Sequence, residues 1–131
     1  MSDDKFRIVA EPEHCLLRVT MREQWTAETV RAYKAALLPV IDTLITSGCP
    51  RGGMVALVDA RTGGAHSQEV ITEYQRQLGG GDLAPRRLAT LVSSALFKRQ
   101  VERIAIPNQR LFTDEEEALA WLLSPDKSAL R

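Results

Sequence analysis

The chain has few of the features that assign a function directly. Among its 131 residues, Lys plus Arg and Asp plus Glu each number 17, so the basic excess typical of nucleic-acid-binding proteins is missing and we expect no nucleic-acid partner. The longest apolar runs are short and broken by polar residues, and we therefore expect no membrane span. The acidic N-terminal segment has no apolar stretch of the signal-peptide type, which favours a cytoplasmic protein.

Cysteine and histidine are also scarce, with two of each. The positions of Cys15 and Cys49 match neither a metal-ligand spacing nor a disulfide framework. We expect both to be free thiols in a reducing compartment. The sequence therefore predicts no metal site and no cofactor.

Apolar periodicity predicts an α/β fold. Residues 6–10 and 15–21 alternate between apolar and polar side chains, as in a β-hairpin with one buried face. Residues 54–58 are a continuous apolar run, which fits a strand covered on both faces, and residues 88–92 are predicted to be a second buried strand. Apolar residues at helical spacing follow the hairpin and each of these two strands, and a last strand and helix close the chain over residues 110–123. The predicted order is therefore β-β-α-β-α-β-α-β-α.

This order indicates a mixed, mostly parallel five-stranded sheet with helices packed against it. We expect one domain over residues 1–131, because the length suits a single core and no linker interrupts the chain. The tail at 124–131 is expected to fray.

The first and last helices carry the sharpest local signals. Thr26 is the predicted N-cap of the first helix, and Pro39 predicts a kink or a break near Leu38 because proline removes a backbone donor. At the end of the chain, Thr113 and Glu116 have the spacing of a capping box, so Thr113 is the predicted N-cap of the last helix.

The two tryptophans receive different predictions. Trp25 precedes the first helix and is expected to be partly exposed, as at an interaction surface. Trp121 and Leu123 are expected to lie in the core beneath the sheet.

Three segments resemble the SpoIIAA-like group of STAS/SEC14-type domains, which is named after bacterial anti-sigma-factor antagonists. They are the strand that ends in Asp59 (55–59), the strand–serine–helix segment 91–105, and the last strand and helix, 111–122. The resemblance extends over nearly the whole chain and implies a SpoIIAA-like α/β fold. It also implies a non-enzymatic module for protein–protein interaction or regulation, which binds a protein partner or associates with itself, for example as a homodimer.

One motif of that family is missing. Its phosphoregulated antagonists carry an Asp-Ser-Ser/Thr-Gly-type motif, whose serine lies at a helix N-terminus. Here Asp59 is followed by Ala-Arg-Thr-Gly-Gly-Ala-His-Ser, so no Asp-Ser pair precedes a glycine. The resemblance therefore implies an interaction module without the usual phosphoacceptor.

The strongest candidate site is a crevice at the carboxyl ends of the two central strands, where ligands of open α/β sheets bind. Arg61 would supply a charge-assisted contact, and backbone N–H groups at a helix N-terminus would bind an anion. The alternative is a solvated turn, in which the aspartate bonds to loop amides and the serines only cap helices. The six candidate residues for a ligand or partner are Asp59, Arg61, Thr62, Ser67, Ser93 and Ser94.

Two further functions are left open. The SEC14-type resemblance and the apolar stripe of the first helix imply a carrier for a small apolar or lipid-like ligand. A serine hydrolase would need Ser93 or Ser94 together with His66 and Asp59, and no Gly-x-Ser-x-Gly motif supports it.

Overall fold

The computed structural model describes residues 5–22, 25–50, 53–62, 68–78, 85–93 and 108–124. A five-stranded sheet runs through them in the order β1-β2-β3-β4-β5, with the bounds Phe6–Glu11, Leu16–Arg22, Val55–Thr62, Arg87–Leu91 and Gln109–Phe112. Strands β1 and β2 are antiparallel, whereas β2 to β5 are parallel. The helices of the described residues are α1 (Ala27–Thr46), α2 (Gln68–Leu78) and α3 (Glu115–Leu123).

The mixed, mostly parallel five-stranded sheet predicted from the sequence is confirmed. The helix predicted between β4 and β5 falls in 94–107, and most of the predicted frayed tail falls in 125–131. Both segments lie outside the described residues. The assignment of a single domain stays a prediction.

Strand β3 lies at the centre of the sheet and is covered on both faces. Ala56 and Val58 belong to a core beneath α1 and α2. Val55 and Leu57 alternate with them and belong to a second core against α3. All four side chains are buried, as the unbroken apolar run predicts for a strand without a solvent face.

Helix α1 begins behind the predicted N-cap, Thr26. Its hydroxyl accepts a hydrogen bond from the backbone N–H of Thr29 at 3.2 Å, and the Thr29 hydroxyl accepts one from the N–H of Thr26 at 3.3 Å. This reciprocal pair is a capping box, and it satisfies two of the backbone donors that a helix leaves open at its start.

The helix continues through Pro39, so the break expected near Leu38 does not occur. Leu38 and Pro39 both lie on the solvent side of α1. Water there can satisfy the carbonyl that loses its backbone donor to proline. The apolar stripe on the opposite side holds α1 on the sheet through Val30, Tyr33, Leu37, Ile41 and Leu44.

A buried acid on α2 joins that helix to α1. Glu73 is only 6% exposed, and its carboxylate accepts hydrogen bonds from Arg76, from Gln77 at 2.8 Å and from Arg31 of α1 at 3.4 Å. The hydrogen bond from Arg76 is the main reason that the pKa of Glu73 falls to about 2. Glu73 therefore stays charged in moderately acidic solution.

Helix α3 begins one residue later than predicted. Asp114 is its N-cap, because the Asp114 carboxylate accepts a hydrogen bond from the N–H of Glu117 at 2.9 Å. The predicted capping box of Thr113 and Glu116 is therefore wrong. Both Thr and Asp are good N-cap residues, but an aspartate also places negative charge at the positive end of the helix dipole.

The predictions for the two tryptophans differ in outcome. Trp25 is 3% exposed, packs against Phe6 and Tyr33, and donates its indole N–H to the backbone carbonyl of Lys5 at 2.9 Å. Its expected exposure is therefore wrong. Trp121 packs half-buried against the core beneath α3.

Leu123 does not lie in the core, contrary to the sequence prediction. It is 45% exposed, whereas its neighbour Leu122 is fully buried. Successive residues of a helix point about 100° apart, so the two leucines cannot both face the sheet.

Cys15 and Cys49 form a disulfide, so the prediction of two free thiols is wrong. Their Cα atoms are 5.7 Å apart, although 34 positions separate them in the sequence. Cys15 follows the short 3-10 turn Pro12–His14, and Cys49 follows the end of α1. The bond therefore ties the start of β2 to the end of the first helix.

Replacing both cysteines with serine (C15S/C49S) is expected to lower the free energy of unfolding by about 3 kcal/mol, because the closed loop no longer restricts the unfolded chain. Urea titrations with and without dithiothreitol measure this. The reductant should destabilise the wild type by a similar amount and leave C15S/C49S unchanged. Two alkylatable thiols in the unreduced wild type would contradict the disulfide.

Substituting Glu73 with glutamine is expected to remove a pH-dependent part of the stability. The pKa of Glu73 in the folded chain is about 2, below its ordinary value of 4.5. Its contribution is therefore complete above pH 4.5 and is lost as the pH falls towards 2. Thermal unfolding of wild type and E73Q should differ most at neutral pH and converge near pH 2.

The exposed Asp42, in the interior of α1, provides the control. D42N should not reproduce the pH-dependent difference that E73Q shows. A difference between wild type and E73Q that stays constant down to the most acidic point would show that the charge of Glu73 does not stabilise the fold.

Candidate functional site

Asp59 and Ser93 lie towards the carboxyl ends of neighbouring parallel strands. Asp59 on β3 pairs in register with Leu91 on β4, and the exposed Ser93 follows two residues after Leu91. Asp59 and Arg61 point to the α3 side of the sheet, since they alternate with Ala60, which lies in the other core. The sheet thus brings three of the six candidate residues, Asp59, Arg61 and Ser93, to the carboxyl ends of β3 and β4.

The guanidinium of Arg61 forms a bidentate ion pair with the carboxylate of Asp59. The Arg61 Nε–Asp59 Oδ1 distance is 3.0 Å, and the Arg61 Nη2–Asp59 Oδ2 distance is 2.9 Å. The backbone N–H of Arg61 also donates to Asp59 Oδ1 at 3.1 Å. These bonds lower the pKa of the Asp59 carboxyl and raise the pKa of Arg61. Both groups are therefore charged at neutral pH.

Glu115, the first residue of α3, extends this pair across the sheet. One carboxylate oxygen of Glu115 lies 3.5 Å from Arg61 Nη2, and the other lies 3.2 Å from Arg18 Nη1 on β2. Arg18 also binds Glu11 on β1, and the hydrogen bond that its guanidinium donates to the Glu11 carboxylate is the main cause of its raised pKa. We call these five residues the ion network: Glu11, Arg18, Asp59, Arg61 and Glu115.

The ion network is partly open to solvent. Side-chain exposure is 26% for Asp59, 38% for Arg61 and 41% for Glu115. The guanidinium of Arg61 is consequently fixed by two carboxylates and still accessible from outside. Such a group presents a positive charge in a defined orientation.

Sequence reasoning identified Asp59 and Arg61 but not the other members of the ion network. The sequence predictions placed neither Glu115 nor Arg18 in a site. The residue spacing between Arg18 and Glu115 is 97, so no local pattern connects them. The available signal was the parallel pairing of β2 with β3, which brings Arg18 beside Leu57.

The remaining candidate residues are less fully described. Thr62 ends β3 and pairs with Arg22 after an irregularity in the register, and nothing is described of its side chain. Ser67 and Ser94 lie outside the described residues. Their assignment to the crevice stays a prediction.

Two of the solved structures that match this chain illustrate its architecture. One is an uncharacterised DUF3478-family protein from Shewanella loihica PV-4 with a SpoIIAA-like fold. It is 21% identical, has a TM-score of 0.62, and the match covers 93% of this chain and 98% of that one. The other is an anti-sigma factor antagonist from Mycobacterium paratuberculosis, 12% identical with a TM-score of 0.58, where the match covers 94% and 98%.

The chain has a SpoIIAA-like fold. This confirms the fold that the resemblance implied. No protein-family model and no curated protein matches the sequence.

The SpoIIAA-like fold also separates His14, the histidine within the described residues, from Asp59 at the carboxyl end of β3. His14 lies in the turn before β2, near the level of Leu16, whose register partner is Val55. Asp59 lies four residues further along β3, so at least about 13 Å of strand separates the two levels. His66, the histidine of the hydrolase alternative, lies outside the described residues.

An apolar cavity of about 60 Å³ lies between the sheet and helices α1 and α2. Tyr33 and Tyr74 border it, and their rings stack with centroids 6.3 Å apart. Burial raises the pKa of both hydroxyls, that of Tyr74 to about 12, so both are neutral at physiological pH. The other lining residues are Leu17, Val19, Leu37, Ile41, Met54, Ala56, Val58, Pro85 and Leu88.

Within the residues that the structure describes, no group of three or more His, Cys, Asp or Glu side chains is arranged to hold a metal ion. No helix of the same residues combines the length and the apolar character that crossing a membrane requires.

Proposed function

We propose that this chain is a non-enzymatic STAS-like module that binds a protein partner at the carboxyl ends of β3 and β4. The observation that carries the proposal is the exposed guanidinium of Arg61, held by Asp59 and Glu115. We call Asp59, Arg61, Ser93 and Glu115 the carboxyl-end surface. Oriented charges of this kind give specificity and speed to protein association.

The comparison with an anti-sigma factor antagonist supports this proposal, because that description belongs to a protein of the same fold. The sequence after Asp59 lacks the Asp-Ser-Ser/Thr-Gly type of phosphoacceptor. We therefore propose that the interaction relies on fixed charges such as Arg61 and needs no phosphorylated serine.

A non-enzymatic role is supported by the state of Asp59. Both of its carboxylate oxygens accept hydrogen bonds from Arg61, which leaves it poorly placed to orient a histidine as in a hydrolase. The balanced net charge supports a protein partner over a nucleic acid.

The bacterial cytoplasm stays the proposed location, with the resemblance as its support. The Cys15–Cys49 disulfide argues against it, because disulfides are rare in reducing compartments.

Reversing the charge of Arg61 (R61E) is expected to weaken partner binding by about tenfold or more, because it places a third acid beside Asp59 and Glu115. Affinity capture from a lysate of the source organism, quantified by mass spectrometry, measures the change. The variant R7E is the matched control. Arg7 is an exposed arginine on β1, two strands and about 10 Å from Asp59.

A protein captured by wild type and R7E, but lost with R61E, is the expected result. Equal capture by wild type and R61E would refute binding at the carboxyl-end surface. Circular dichroism of each variant verifies that the fold is intact.

The cavity beneath α1 and α2 supports a second candidate function, the binding of a small apolar ligand. Its walls are mostly apolar, which suits an apolar guest. At about 60 Å³ it is smaller than the cavity of about 150 Å³ that accepts benzene. A xenon atom is a suitable probe, whereas a lipid-like chain exceeds this volume.

Replacing Ala56 with valine is expected to fill the cavity, abolish xenon binding and raise the free energy of unfolding by about 1 kcal/mol. Xenon-induced chemical-shift changes and urea titrations measure the two effects. Ala60 provides the control, since it lies on the same strand and in the same core but does not line the cavity. A60V should keep xenon binding. Wild-type spectra that do not respond to xenon would exclude this candidate.

A further inference from the structure

Strand β1 forms an open edge of the sheet. It pairs with β2 on one side, and no strand of the described residues pairs with its other side. An open edge presents a row of backbone N–H and C=O groups that can pair with another chain. At six residues β1 is longer than β5, the four-residue strand at the opposite edge.

The pairing with β2 determines which backbone groups of β1 face outward. The N–H of Arg22 donates to the carbonyl of Lys5 at 2.9 Å, so these two residues form a hydrogen-bonded antiparallel pair. Such pairs alternate with non-bonded ones along the strand. The backbone groups of Phe6, Ile8 and Ala10 therefore point away from β2.

The side chains of β1 are sorted between its two faces. Phe6, Ile8 and Ala10 pack against the core beneath α1. Arg7, Val9 and Glu11 lie on the other face, where Val9 is 39% exposed. On this face of the sheet, the described helix α3 packs over β3, β4 and β5.

The sheet face of β1 that carries Arg7, Val9 and Glu11 has a charge pattern that is complementary to itself. Arg7 and Glu11 lie two residues before and two residues after Val9. In an antiparallel pair of two β1 strands with Val9 on the symmetry axis, Arg7 lies opposite the partner's Glu11, and Glu11 opposite the partner's Arg7. Opposite charges in such cross-strand pairs stabilise a sheet.

The same register satisfies the outward backbone groups. It places Ile8 opposite the partner's Ala10, and both residues have outward-facing N–H and C=O groups. Four hydrogen bonds would then join the two strands. A two-fold axis at Ile8 would instead put Arg7 opposite the partner's Val9, and an axis at Ala10 would put Val9 opposite the partner's Glu11. Charge complementarity therefore selects the axis at Val9.

We propose that two copies of this chain form a symmetric dimer by antiparallel pairing of their β1 strands about Val9. The two sheets then join into one continuous ten-stranded sheet, and Val9 packs against the partner's Val9. Such an isologous contact closes after two copies, so it does not propagate into a fibre. Within the described residues, Arg7 forms no ion pair with the carboxyl-end surface, whereas Glu11 is linked to Glu115 through Arg18, so R7E and R61E are the variants that separate the dimer from that surface.

The charge pattern predicts the behaviour of two reversals. R7E and E11R should each weaken self-association by about tenfold or more, since each turns two attractive pairs into two repulsive ones. An equimolar mixture of R7E and E11R should recover association, because the heterodimer pairs opposite charges again. Sedimentation equilibrium from micromolar to millimolar concentration measures this, with D42K on the exposed side of α1 as the control.

Cysteine cross-linking tests the register independently. Across the proposed axis the two Val9 Cα atoms would lie about 4.5 Å apart, within the range of about 4.4–6.8 Å that a disulfide spans. The two Arg7 Cα atoms would lie about 14 Å apart. Mild oxidation should therefore cross-link V9C and not R7C.

A wild type that sediments as a monomer at millimolar concentration, or equal cross-linking of V9C and R7C, would overturn the proposal. R61E should still dimerise, and R7E should still capture the partner. The dimer and the proposed function can therefore fail separately.

Discussion

The burial of β3 on both faces is the constraint on which the rest of the structure depends. Its backbone pairs with β2 and β4, and its side chains enter two separate cores. A strand enclosed in this way has no free surface along its middle. Polar chemistry on β3 is therefore confined to the ends of the strand.

The elements that depend on local patterns could be predicted from the sequence. The apolar run of β3 and the buried stripe of α1 are examples, because a burial pattern is encoded residue by residue. The disulfide could not be predicted in this way. Cys15 and Cys49 meet only because α1 ends beside the start of β2, and that depends on how the helix packs on the sheet. The predicted N-cap of α3, Thr113, was wrong because a second good capping residue, Asp114, directly follows it.

The candidate site shows the same division between local and distant information. Asp59 could be placed near the carboxyl end of a buried strand because it directly follows an apolar run, and Arg61 lies two residues away. The link from Arg61 to Arg18 through Glu115 could not be predicted, because it depends on the register between β2 and β3 and on the position of α3 on the sheet. Trp25 failed for a related reason: its burial is completed by Phe6 and Tyr33, from a strand and a helix on either side of it.

The ion network contributes little to the stability of the fold. Exposed salt bridges typically contribute about 0–1 kcal/mol each, and the members of this network are between a quarter and two-fifths exposed. In the proposed interaction, the same charges would have a larger effect, because charges held in fixed positions orient the encounter of two proteins and disfavour wrong partners. Since the two cores hold α3 and the sheet together without them, the charges of the network are free to serve recognition.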